Sequence, residues 1–127
     1  MYASQLEVYR NVQKTTMSDR EIEASVLIKA AAQLKYCQDN WDAADRPGKL
    51  DEALKFNQLL WSLLQAELSK DDNPMPRQIR QDILSLSIFI DKRILDVMAY
   101  PSPEKLTVVI NINMNIAAGL KSSPSQL

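Results

Sequence analysis

The chain has 127 residues, enough for one domain with a real core and no need of metals or disulfides. Hydrophobic residues make up an ordinary 46%, and with only Gly48 and Gly119 as glycines the turns of a sheet protein are poorly provided for, so helix is favoured. The 15 basic residues nearly balance the 16 acidic ones, which leaves no global field to gather nucleic acid or an anionic membrane.

Histidine is absent, which removes the commonest general base and the commonest metal ligand. The single Cys37 cannot form an internal disulfide and suits a reducing cytosol. No apolar run approaches the roughly 20 residues a bilayer span needs. The start, Met1-Tyr2-Ala3-Ser4-Gln5-Leu6-Glu7, lacks the basic and apolar stretches of a signal peptide. The expectation is a cytoplasmic chain beginning at Met1, with no membrane contact.

Residues 1–17 read as an N-terminal arm, with Tyr2, Leu6 and Tyr9 spaced as one short helical stripe. A terminal arm needs something to tie it down, and the two tyrosines are the groups to do it. Ser18-Asp19-Arg20-Glu21 has the form of a capping box, with Met17 and Ile22 at the staple positions around it. The helix that follows places Ile22, Val26, Ala30, Leu34 and Cys37 on one face and ends near Asp39. Ala30-Ala31-Ala32 lets a neighbouring helix approach closely.

Residues 42–48 read as a connection punctuated by Pro47-Gly48. A second helix is predicted from about Leu50 to Leu68, with Leu50, Leu54, Asn57, Trp61, Leu64 and Leu68 in phase and Leu60 and Leu63 widening the face. Asn57, inside that stripe, requires a hydrogen-bond partner. After the turn at 70–76, a third helix is predicted from about Pro76 to Met98. Ile79, Ile83, Leu86, Ile90, Ile94 and Val97 make its main face, and Leu84, Ile88 and Leu95 a second one. Such coverage suggests the central helix, touched on several sides. Ser102, Pro103 and Glu104 then form a helix start, and a fourth helix runs to Leu120, with Gly119 as its stop. Lys121 to Leu127 is a Ser- and Pro-containing tail. The architecture is all-α: a four-helix antiparallel bundle over 18–120, a short N-terminal arm over 1–17 and a tail over 121–127.

Little in this pattern carries chemistry. Asp51-Glu52 and Asp71-Asp72 sit at helix starts and loops, where solvation and dipole complementation account for them. There is no phosphate-binding glycine loop and no Glu-x-x-His pair for a di-iron site. Arg77, Arg80, Lys92 and Arg93 would make a basic stripe on the third helix, but Asp82, Asp91 and Asp96 interrupt it, which argues against nucleic acid. The expectation is a non-enzyme with no metal and no cofactor.

Three residues stand out as possible partner contacts. Trp61 is in phase with the core and is either an anchor there or a contact for a partner. Trp41 either covers the bundle end or stands exposed. Asn113 is in phase with Leu106, Ile110 and Ile116, while Asn111 and Asn115 fall about 100° steps away. A buried amide without a partner costs roughly 1–3 kcal/mol. Asn113 therefore pairs with Asn57, caps a backbone group, or meets the backbone of a bound peptide.

Asn57-Gln58-Leu59-Leu60-Trp61-Ser62-Leu63-Leu64, Asn73-Pro74-Met75-Pro76-Arg77-Gln78-Ile79-Arg80 and Val109-Ile110-Asn111-Ile112-Asn113-Met114-Asn115-Ile116-Ala117-Ala118-Gly119-Leu120 occur in an order and spacing that resembles the FlaF family of flagellar biosynthesis regulators from alphaproteobacteria. The second segment looks like that family's Asn-x-Leu-Pro connection with Met75 in place of leucine. The resemblance covers nearly the whole chain and is thinnest over residues 10–50. It implies a role in flagellin production and export, alongside a regulator that restrains flagellin translation, and binding of flagellin in the cytoplasm. The Tyr2–Tyr9 arm ahead of a bundle is also similar in layout to the FliS flagellin chaperones.

The expected function is thus a flagellin-binding chaperone, with Tyr2, Tyr9, Trp61 and Asn113 as its partner-binding residues. The alternative is a regulator of flagellin translation acting on RNA or the translation machinery. A homodimer whose partner is itself is the third reading.

Overall fold

The computed structural model describes residues 19–122. Tyr2, Tyr9, the Ser18 cap and the tail beyond Ser122 lie outside the described residues. Within them stand four α-helices: α1 (Asp19–Asp39), α2 (Arg46–Leu68), α3 (Arg77–Ala99) and α4 (Leu106–Ser122), the last preceded by a 3-10 turn over Pro103–Lys105. Among the described residues there is no strand.

Each helix is an apolar stripe looking for cover. On α1 the stripe is Ile22, Val26, Leu27, Ala30, Leu34 and Cys37, all buried. α1 packs most extensively on α4, then on α2, and α3 packs on α2. Buried alanines (Ala24, Ala30 and Ala31 on α1, Ala53 on α2, Ala117 on α4) allow this close approach. Gln38, near the end of α1, donates to the Pro103 carbonyl and to Thr107 Oγ1 at the start of α4. The two helices therefore run antiparallel, as the expected bundle requires. The predicted stripe of α2 is buried in full, from Leu50 through Leu54, Asn57, Trp61 and Leu64 to Leu68.

Helix ends differ from expectation in two places. α2 begins at Arg46, so Pro47 and Gly48 form its first turn and not a connection. Proline fits there because the first-turn N–H has no intrahelical acceptor to lose. α4 continues through Gly119 to Ser122, and Gly119 has no positive φ, so it stops nothing. A glycine ends a helix only where it adopts the left-handed conformation.

The connections are braced by side chains. Asn40 Nδ2 donates to the Tyr36 carbonyl at the end of α1. Asn73 Nδ2 donates to the Glu67 carbonyl at the end of α2, and Asn73 Oδ1 accepts from the Met75 N–H. Ser102 takes the N-cap position, but its hydroxyl donates to Glu104 Oε2. That bond and a backbone N–H hold the Glu104 carboxyl below its usual range, the backbone contribution being the larger. Trp41 is half-buried against the core, with the Arg46 guanidinium 4.1 Å over its ring and Arg46 Nε–H donating to its carbonyl.

α3 departs most from expectation. It is not the central helix. Its buried residues are Ile83, Ser87, Ile90, Ile94 and Val97, a single narrow seam at alternating steps of four and three. α3 lies against α2 and touches α4 only lightly. Of the second apolar face, Leu84 packs against the core, but no described helix covers the rest, and Ile88 and Leu95 are each 57% exposed.

Candidate functional site

The polar interior is a relay across three helices. Trp61 Nε1–H on α2 donates to Asn113 Oδ1 on α4 at 2.9 Å, and Asn113 Nδ2 donates back to Asn57 Oδ1 on α2 at 2.6 Å. Asn57 Nδ2 ends the relay on the carbonyls of Ala53, at 2.9 Å, and of Ala30 on α1, at 3.2 Å. All three side chains are fully buried. Each strong donor has an acceptor, so the relay avoids the cost of an orphaned buried group and fixes the register of α2 against α1 and α4.

Trp61 and Asn113 are therefore brought together, but not at a surface. In this conformation both are spent on one another and on Asn57, and neither presents an atom to a partner. Of the three possibilities for Asn113, pairing with Asn57 is the one realised.

One turn beyond the relay, the described helices part around a cavity. Leu64 follows Trp61 by three residues, Ile116 follows Asn113 by three, and both line a cavity of about 450 Å³. Its walls are Val26 from α1, Leu60, Leu64 and Leu68 from α2, Ile83 from α3, and Ile116 and Leu120 from α4. Leu63 and Met75 add apolar surface beside them, and Asp19, Arg20, Glu23, Glu67 and Lys70 contribute charge to the lining. The cavity thus lies where α1 and α3 begin and α2 and α4 end.

A second feature is the outer surface of α3, where Ile88 and Leu95 are exposed on one flank and Phe89 on the other, with the Arg93 guanidinium 5.5 Å from the Phe89 ring centroid. Two of the four basic residues of α3 are engaged within the fold: Arg80 Nη1 donates to the Lys70 carbonyl, and the Arg93 guanidinium lies over the Phe89 ring. Sequence reasoning found the second apolar face of the third helix but expected neighbouring helices to cover it, and did not mark Met75 and Ile116 as cavity residues. The signal was present for the ridge, since Ile88 and Leu95 stand seven residues apart and out of phase with the seam.

Cys37 is buried on α1, as its phase implies. Burial pushes its thiol above the usual range, outweighing the opposite pull of Arg46 and Lys49. Among the described residues, no three His, Cys, Asp or Glu side chains stand together as a metal site. No described helix is long and apolar enough to cross a membrane.

The class these features define is an all-helical bundle, held in register by a buried amide relay, with an apolar cavity at one end of its described residues. Within that class the chain belongs to the flagellar protein FlaF family, whose model matches residues 5–120. The match takes in the relay, the cavity and the α3 ridge, and makes this a flagellar protein. No curated protein and no solved structure matches the chain.

Proposed function

We propose that this chain binds flagellin in the cytoplasm as a chaperone supporting its production and export, with an amphipathic terminal segment of flagellin lying along α3. The observation that carries this reading is the uncovered apolar ridge of a flagellar family member. Ile88 and Leu95, both 57% exposed, stand two turns apart, about 10 Å along the helix, with Phe89 on the other flank. Neighbouring uncovered apolar side chains of this kind support the reading of an interaction site. A partner helix would read it through anchors at i, i+3, i+4 and i+7. Ordering the bound segment costs part of the interaction energy, so affinity per unit of buried area is modest. Trp61 and Asn113 serve this binding by holding α2 and α4 in register and not by touching flagellin.

The test is co-expression with the organism's flagellin, followed by co-purification and calorimetry. The natural chain should hold flagellin. Replacing Ile88→Lys and Leu95→Lys together should weaken the complex by about tenfold or more. Because both side chains are already largely exposed, stability should move by less than about 0.5 kcal/mol for each. Folded protein that retains no flagellin sinks the reading, and unimpaired binding by the double variant moves the site off α3.

A further inference from the structure

We infer that the apolar cavity at one end of the bundle is the seat of the chain's own first residues, with Tyr2, Leu6 and Tyr9 as the side chains that fill it. Three observations converge on this occupant. The first is where the chain leaves the structure: α1 begins at Asp19, and Asp19 and Arg20 themselves line the cavity. Residues 1–18 must therefore depart from its rim. Their local concentration there is that of a short tether, in the millimolar range, which no dilute partner matches unaided.

The second is reach and pattern. As a helix, residues 1–18 would span about 27 Å, sufficient to cross one end of a bundle built of helices about 10 Å thick. Tyr2, Leu6 and Tyr9 fall at i, i+4 and i+7, one apolar face suited to a groove walled by Leu63, Leu64 and Ile116. The C-terminal residues 123–127 leave near the same end but offer only Leu127 as a large apolar group, too little to fill about 450 Å³.

The third is charge. The arm carries Arg10 and Lys14 against Glu7, and the cavity lining carries Asp19, Glu23 and Glu67 against Arg20 and Lys70. The signs are complementary, which favours the arm over a second copy of the same acidic-leaning rim. This inference stands apart from the flagellin reading, because it concerns another surface and needs no partner.

The test uses the full chain with Cys37→Ala as background. Leu6→Cys is combined with Leu63→Cys on the cavity wall or, as control, with Lys49→Cys in the first turn of α2 at the opposite end. Mild oxidation should give an intramolecular disulfide in the first pair at several times the yield of the control. Equal yields, or a disulfide-linked dimer as the main product, overturn the proposal. A second measurement needs no cysteines. Replacing Tyr2, Leu6 and Tyr9 with aspartate should raise binding of an apolar fluorescent dye several-fold with helical circular dichroism retained. Dye binding equal to that of the natural chain overturns it as well.

Discussion

Asn113 is the shared member of the buried relay, accepting from Trp61 and donating to Asn57. Asn113→Leu conserves volume but strands the indole N–H and the Asn57 carbonyl oxygen. At about 1–3 kcal/mol for each of the two orphaned groups, the loss should be about 2–6 kcal/mol in urea unfolding. Adding Asn57→Leu removes one orphan, so the loss in the double variant should fall short of the sum of the two single losses by about 0.5 kcal/mol or more. Strict additivity would mean that the two amides do not act as a unit. Part of this was legible beforehand. The helical phase put both asparagines inside apolar stripes, which demands partners, and Asn57 was among the candidates for Asn113. The tryptophan was not, because its bond spans 52 positions and depends on how α2 and α4 face each other. Phase along one helix says which way a side chain points and nothing of what stands opposite.

The helices themselves were legible because each has a long stripe with period 3.6, and their ends were less so because glycine and proline have more than one use. Pro47-Gly48 reads as a loop signal, yet the same two residues suit a first helical turn. Gly119 reads as a stop, yet its backbone is helical and nothing lies within 4 Å of where a Cβ would be. In that setting glycine only adds freedom to the unfolded chain. Gly119→Ala should therefore stabilise the protein by about 0.5–1 kcal/mol, raising the thermal midpoint by a few degrees. A loss of stability would show that the glycine serves a close contact after all. The contrast with α3 is instructive. Its two apolar faces imply a helix covered on several sides, but amphipathic breadth measures demand for cover, and only the packing of the whole chain decides whether cover is supplied.

The supply is uneven across the bundle, and that asymmetry should appear in its dynamics. α1 lies between α2 and α4, with α4 as its most extensive neighbour, and the relay ties all three of these helices by buried bonds. α3 has a narrow seam on α2, light contact with α4, and a few polar ties: Gln65 Nε2 to Asp91 Oδ2, Arg80 Nη1 to the Lys70 carbonyl, and Lys105 to Asp96 at 3.0 Å. Exposed and half-exposed polar ties of this kind contribute at most about 1 kcal/mol each. Local opening follows the elements with least buried apolar contact. Native-state hydrogen exchange should therefore find the α3 amides opening as a unit, at a free energy at least about 1 kcal/mol below that of α1 and of the α4 core around Asn113. A ligand seated on the Ile88–Leu95 ridge would bind only the state in which α3 is folded, and would raise α3 protection first. If flagellin instead protected the cavity walls around Leu64 and Ile116 and left α3 unchanged, the cavity and not the ridge would be its seat, in competition with the chain's own arm.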